Sequence, residues 1–209
     1  MFYLKCIYTS FIIGSIDLAI QKLNYNARWF QLHAIINYII SAITYHDTLA
    51  CFYDPTMSSL ENTPGYAASM CFVLHLYHCF MFKMRLDDWL HHFSGFCVTP
   101  ILVSYSCKGM APAYFFISGL PGALDYSMLT LYKNSLVTKN TQKYFCSKIN
   151  AYLRMPGGII SAYLLLKDSF TQYGPNNYLL FLSFFLYVNS VYYGKQAIEN
   201  YGAFKCITI

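Results

Sequence analysis

An aspartate followed by two adjacent histidines is the feature of this sequence best suited to proton transfer. Asp88 lies three residues before His91 and four before His92, so on a helix its carboxylate reaches either imidazole and fixes its tautomer. A second carboxylate, Asp125, follows the Gly-Leu-Pro-Gly stretch at 119–122, which loosens a helix. The predicted catalytic residues are therefore His91, His92, Asp88 and Asp125. Neighbouring helical residues point about 100° apart, so we expect one of the two histidines to act as general base or nucleophile.

Further polar residues are predicted to line a cavity beside this group. His75 and His78 lie one turn apart on one helical face, and Asn37 follows His33 by one turn. The predicted cavity-lining residues are His33, Asn37, His75 and His78. The alternative is that these side chains only form hydrogen bonds between helices and have no chemical role.

The composition indicates that membrane-spanning helices position these groups. The 209 residues are 56% hydrophobic and 11% charged, whereas an ordinary soluble domain has about 25% charged residues. This excludes a cytosolic globular protein, a disordered chain, a nucleic-acid-binding domain and a secreted disulfide scaffold. A spanning helix needs about 20 mostly apolar residues, and the candidate stretches are 2–20, 29–49, 66–83, 89–107, 111–132, 151–166 and 178–193. The sequence thus predicts an all-α, polytopic transmembrane helical bundle of about seven spans, six to seven, in one domain over 1–209.

The basic residues predict the orientation of this bundle. Ten lysines and arginines lie in alternate connectors: Lys22, Arg28, Lys83, Arg85, Lys133, Lys139, Lys143, Lys148, Lys195 and Lys205. The other connectors hold only Lys108 and Lys167. The positive-inside rule then predicts a lumenal or outside N-terminus and a cytosolic C-terminus. By the helical rise of about 1.5 Å per residue, Asp125 and all histidines except His46 lie in the cytosolic half. We expect no cleaved signal peptide, and the eight cysteines are expected to act as small packing residues.

The segment Asp88-Trp89-Leu90-His91-His92 resembles the TLC domain family, the multipass module shared by ceramide synthases and other endoplasmic reticulum membrane proteins. Leu120-Pro121-Gly122-Ala123-Leu124-Asp125-Tyr126 looks like a second family segment. Trp29-Phe30 with Leu32-His33, then Asn37, Asp54-Pro55 and His75-Leu76-Tyr77-His78 are similar to the non-synthase branch. The resemblance covers roughly 27–193. Ceramide synthases have a His-Asp pair where this chain has Pro121-Gly122, so the resemblance implies lipid chemistry at the endoplasmic reticulum without implying ceramide synthesis itself.

Three functions remain open at this point. The first is acyl transfer to a lipid amine or alcohol, with acyl-CoA as co-substrate and no other cofactor; the basic connectors would then hold its phosphates. The second is non-catalytic lipid binding that regulates membrane lipid composition. The third is a metal or haem site, because His75-x-x-His78 with His91-His92 loosely resembles the histidine boxes of membrane di-iron enzymes, although those need more histidines than the six present. The expected partners are membrane lipids and acyl-CoA, with a homodimer as an option and no nucleic acid or bound metal.

Overall fold

The protein is almost entirely helical. The computed structural model describes residues 2–23, 26–53, 63–84, 89, 92, 109–171 and 174–207. Their elements are α1 (Phe2–Leu23), α2 (Arg28–Tyr53), α3 (Thr63–Met81), α4 (Met110–Ala113), a first π-helical segment (Tyr114–Gly119), α5 (Leu120–Lys133), α6 (Lys139–Ile149), a second π-helical segment (Asn150–Arg154), α7 (Met155–Ser169), strands β1 (Phe170–Thr171) and β2 (Gly174–Pro175), and α8 (Asn177–Ile207). The two strands form a short antiparallel pair. The predicted all-α class is confirmed.

The predicted apolar stretches coincide with helices where the structure describes them, except that α3 ends at Met81, two residues before the end of the stretch 66–83. The stretch 89–107 lies outside the described residues except for Trp89 and His92. Two differences from the prediction are α8, which continues well past 193, and α6, which occupies a stretch expected to be a polar connector. Within the described ranges, one helix, α1, is by itself long and apolar enough to cross a membrane. The number of membrane crossings therefore stays a prediction.

Each π-helical segment ends just before a proline. Pro121 and Pro156 lie in the first turns of α5 and α7, directly after the π-helical segments. A proline has no N–H to donate, and its ring collides with the carbonyl four residues earlier. The wider π turn accommodates both effects without ending the helix. The loosened helix expected before Asp125 is thus a π turn, and a second π turn lies immediately upstream of Pro156.

The helices bury many polar residues alongside the apolar core and expose many large apolar side chains. In α1, the buried positions include Lys5, Thr9 and Asp17, at intervals of four and eight residues, whereas Leu4 and Phe11 are exposed. In α2, the buried polar residues are His33, Asn37, Ser41, Thr44, Asp47 and Thr48, and in α8 they are Ser183 and Ser190. The exposed apolar side chains of α8 are Tyr178, Phe181, Phe184, Tyr187, Val188, Tyr192 and Ile198. Apolar side chains still form the core, but the outward faces differ from those of a surface helix in a water-soluble protein, which are polar.

The basic connectors meet at one end of the bundle. Asn134, which follows α5, donates from Nδ2 to the carbonyl of Asn26, which precedes α2, over 3.2 Å. Lys143 of α6 lies 3.4 Å from the carbonyl of Asn200 near the end of α8. Since α1 and α3 also end beside Arg28, we call this the basic end, defined by Lys22, Arg28, Lys133, Lys139 and Lys143.

Candidate functional site

Four histidines from three parts of the chain meet near the basic end. We define the histidine cluster as His33, His75, His78 and His92. The Nδ1 atom of His78 lies 2.7 Å from Nε2 of His92, so one of these nitrogens donates and the other accepts. The ring centroid of His92 lies 4.7 Å from that of His75, and the His33 ring lies 5.7 Å from the His78 ring. His78 and His92 are both about 95% buried, with exposures of 5% and 4%.

Helical backbone carbonyls orient two members of the cluster. Nδ1 of His75 lies 2.6 Å from the carbonyl oxygen of Cys71, and Nδ1 of His33 lies 3.1 Å from that of Trp29. A carbonyl only accepts, so Nδ1 carries the proton in each ring and the neutral imidazole has an unprotonated Nε2. Helical spacing alone therefore sets the tautomers of His33 and His75.

Aromatic side chains enclose the cluster on the side of the basic end. Trp29 packs against His33 and His78, and Phe82 lies 5.7 Å from the His78 ring. The Tyr126 ring lies 4.6 Å from the His33 ring. These flat apolar groups separate the imidazoles from the exterior, and electrostatic interactions are strengthened where water is excluded.

Asp125 directly precedes Tyr126, whose ring contacts the cluster, but its own carboxylate is held by other residues. Nη1 of Arg154 lies 2.9 Å from its Oδ2, and Nδ2 of Asn150 donates to the same oxygen over 3.0 Å. Arg154 also donates from Nη1 to Oδ1 of Asn150 over 2.7 Å. None of the described histidines forms a hydrogen bond with this carboxylate. We expected Asp125 to orient an imidazole. In the structure, its carboxylate is instead paired with the guanidinium of Arg154, and the neighbouring residue Tyr126 contacts the cluster.

A partly buried thiol, that of Cys146, lies next to this ion pair. Burial, and secondarily the negative charge of Asp125, raise the pKa of the Cys146 thiol to about 12. The thiol accepts a hydrogen bond from Nε2 of Gln142 over 3.0 Å. Cys146 therefore remains protonated at neutral pH.

The remaining predicted residues fall into two groups. Asp88 and His91 lie outside the described residues, so their predicted roles remain predictions. Asn37 is buried on α2 one turn after His33. His46 is exposed on α2, more than three turns from His33 and away from the cluster, as the sequence predicted.

Sequence reasoning missed a second buried charge pair at the basic end. Asp17 of α1 is completely buried and accepts hydrogen bonds from Arg28, Tyr77 and Gln21. Nε of Arg28 lies 2.6 Å from Oδ1, and the hydroxyl of Tyr77 lies 2.6 Å from Oδ2. The available signal was an acidic residue inside one predicted span and a basic residue at the start of the next, which is the usual arrangement for a paired intramembrane charge.

The geometry of the cluster is suited to proton transfer. A neutral, hydrogen-bonded imidazole pair can pass a proton from one ring to the other. In the part of the chain that the structure describes, no group of three or more His, Cys, Asp or Glu side chains is arranged to hold a metal ion. No family model, curated protein or solved structure matches this sequence.

Proposed function

We propose that this chain is a multi-pass membrane protein of the TLC type that transfers an acyl group from a long-chain acyl-CoA to a lipid alcohol or amine. The observation that carries the proposal is the buried hydrogen bond of 2.7 Å between His78 and His92, inside a bundle whose outer surface is apolar. The proposed topology has about seven spans, a lumenal N-terminus and a cytosolic C-terminus in the endoplasmic reticulum.

The buried polar residues and the apolar outer faces of the helices support the membrane assignment. Lipid tails cannot hydrogen-bond, so a spanning helix turns its polar residues towards the bundle and its apolar residues outward. The stripe from His33 to Thr48 lowers the mean hydropathy of α2, although this helix is 26 residues long and exposes Ile35, Tyr38 and Phe52. Composition alone therefore understates how well such a helix would span a membrane.

The position of the cluster supports acyl-CoA as the donor. The histidines lie near the basic end, where Lys133, Lys139 and Lys143 could contact the phosphates of the CoA moiety. The acyl chain would then extend into the apolar bundle. The thioester carbonyl would lie at the depth of the imidazoles, since these lie within a few helical turns of that end.

The His78–His92 pair would supply general acid–base catalysis. Whichever ring donates the shared hydrogen bond has an unprotonated nitrogen on its other side. That imidazole nitrogen takes the proton of the lipid hydroxyl or amine, while the oxygen or nitrogen of the lipid attacks the thioester carbonyl. The C–S bond then breaks, and the CoA sulfur receives the proton from the imidazolium. The products are the acylated lipid and free CoA.

Incubation with long-chain acyl-CoA and a long-chain alcohol, followed by mass spectrometry of the lipids, tests this proposal. We expect purified protein to form the ester, and the His92→Ala and His78→Ala variants to lose it by roughly a hundredfold or more, the contribution of a general base. His46→Ala is the matched control because this histidine is exposed and lies away from the cluster. Equal ester formation by the wild type and His92→Ala would refute the assigned chemistry.

Non-catalytic lipid binding is the second candidate. The observation that favours it is the neutralisation of Asp125 by Arg154, which leaves this predicted catalytic carboxylate engaged elsewhere. Such a protein would retain intact lipid and form no ester. Retention of the same lipid by the wild type and His92→Ala, with no product from either, would favour this second function.

A further inference from the structure

Several polar groups are buried together between α2, α5 and the second π-helical segment. Asn37 has an exposure of 4% and Asp125 of 9%. No hydrogen bond joins the side-chain amide of Asn37 to another described residue; the one bond at this position uses its backbone carbonyl. Oδ1 of Asp125 and Nε of Arg154 are also buried, and no N–H or O–H group of the described residues pairs with either atom.

Gly122 brings these groups close to one another. A Cβ atom at this position would lie 2.7 Å from Nδ2 of Asn37 and 3.8 Å from Nη2 of Arg154. The amide and the guanidinium thus converge over the backbone of Gly122, one turn before Asp125. The absence of a side chain at Gly122 is what allows Asn37 to extend into this space.

The arrangement is unusual because buried polar groups nearly always have partners. A single buried polar atom without a partner is a common exception. Here a donor (Nε of Arg154), an acceptor (Oδ1 of Asp125) and the Asn37 amide, which can do both, lie in one interior region. The ion pair between Asp125 and Arg154 leaves this region without net charge. Its open hydrogen-bonding positions therefore suit a neutral group that both donates and accepts.

We infer that Asn37, Asp125 and Arg154 bind the hydroxyl head group of a lipid whose chain lies within the bundle. The inference rests on the proposed function in that it identifies the head group of the acyl acceptor. The hydroxyl donates to Oδ1 of Asp125 and accepts from Nε of Arg154 or from the Asn37 amide. A phosphate would be repelled by the carboxylate, and an ammonium would leave the donors of Arg154 and Asn37 unpaired.

The site lies next to the histidine cluster. Tyr126, the residue after Asp125, contacts the His33 ring at 4.6 Å, and Asn37 is one turn along α2 from His33. In the proposed function, a hydroxyl held here would approach the His78–His92 pair from the side of His33, whose ring lies 5.7 Å from that of His78. Asp125, predicted from the sequence as a catalytic residue, becomes a binding residue for the acyl acceptor.

Binding of three single-chain probes to the purified full-length chain tests the inference. The probes are octadecanol, octadecylamine and octadecane, which share a chain and differ in head group. We expect octadecanol to bind most tightly, and the Asn37→Leu variant to bind it about tenfold less tightly, which corresponds to about 1.4 kcal/mol, the value of one hydrogen bond. Gly122→Ala is a second variant, because its methyl group displaces the Asn37 amide, and we expect a loss of similar size.

Thr48→Val is the matched control. Thr48 is buried on the same helix, its hydroxyl has no partner in the described residues, and it lies 11 residues from Asn37, or about 16 Å along the axis. Both substitutions remove a buried polar group that forms no hydrogen bond with the described residues, so a purely structural role predicts the same small effect for both. Reduced octadecanol binding in Asn37→Leu, together with unchanged binding in Thr48→Val, supports the site.

The outcomes separate this inference from the proposed function. Unchanged octadecanol binding in Asn37→Leu, or octadecane binding as tight as that of octadecanol, overturns the head-group site. If ester formation still depends on His92 in that case, the proposed function survives. Binding that depends on Asn37 without any ester formation supports the head-group site and overturns the acyltransferase.

Discussion

Replacing Arg28 with alanine should destabilise the protein far more than its partly exposed position at the basic end suggests. The guanidinium makes two contacts with Asp17, whose side chain is completely buried between α1, α2 and α3. Without Arg28, the carboxylate keeps only Tyr77 and Gln21 as partners. The substitution therefore leaves a negative charge in the interior without a compensating positive one.

The magnitude follows from the burial of the two partners. Removing one member of a buried ion pair costs about 3–5 kcal/mol, because the charge that remains is desolvated and unpaired. The Arg28 side chain is 31% exposed, and two hydrogen bonds to Asp17 survive, so we expect a loss of about 3 kcal/mol in the free energy of unfolding. Asp17→Asn should cost less, about 1–2 kcal/mol, since the arginine left behind can reach solvent at the basic end.

Unfolding in mixed micelles, followed through tryptophan fluorescence while the fraction of SDS is raised, measures this loss. Trp29 packs beside His33 and His78 and so reports on the helices that the ion pair joins. The control is Lys195→Ala, which breaks a pair between residues with side-chain exposures of 70% and 64% and should cost about 0.5 kcal/mol. A loss for Arg28→Ala as small as that of the control would refute the reasoning.

Three further predictions follow from packing, pKa and orientation. Gly158→Ala should lower the free energy of unfolding by about 1–3 kcal/mol because the added Cβ would overlap Ser190. The control is Gly202→Ala, whose added Cβ meets nothing within 4 Å and should be neutral or slightly stabilising. Equal unfolding curves for the two variants would contradict this prediction. Iodoacetamide should label exposed Cys206 much faster than Cys146 at pH 8, because the Cys146 pKa of about 12 leaves roughly one Cys146 side chain in ten thousand as the thiolate. The rate of Cys146 labelling should rise about tenfold for each unit of increase in pH. A membrane-impermeant maleimide should reach Cys206 in sealed microsomes whose cytosolic face is outward, and protection of this thiol until detergent is added would reverse the proposed orientation.

The location and class of the helices could be predicted from the sequence because they depend on local properties. Runs of apolar residues, interrupted by polar connectors, predicted helical stretches that agree with the described helices. The π-helical segments could not be located in the same way. Pro121 and Pro156 indicated where a helix would be disturbed, but whether the helix breaks, kinks or widens depends on what packs against it.

The composition of the candidate site was only partly predictable. Depth along the helices indicated that His33, His75 and His78 would lie near the basic end, because depth depends on the helical rise alone. Rotation of each helix about its axis depends on the packing of all its neighbours. For that reason the sequence did not indicate that Asp125 would pair with Arg154, or that Asp17 would pair with Arg28.

The sequence by itself thus determined that this chain is helical, where its apolar stretches lie, and that its basic residues follow alternate stretches. Those properties depend only on residues that are close together in the sequence, so they can be determined without the fold. The tertiary structure alone decided that His78 hydrogen-bonds with His92 and that Asn37 lies over Gly122 beside Arg154. Such contacts join residues far apart in the chain, and the atoms meet only because the packing of several helices fixes their rotation and spacing together.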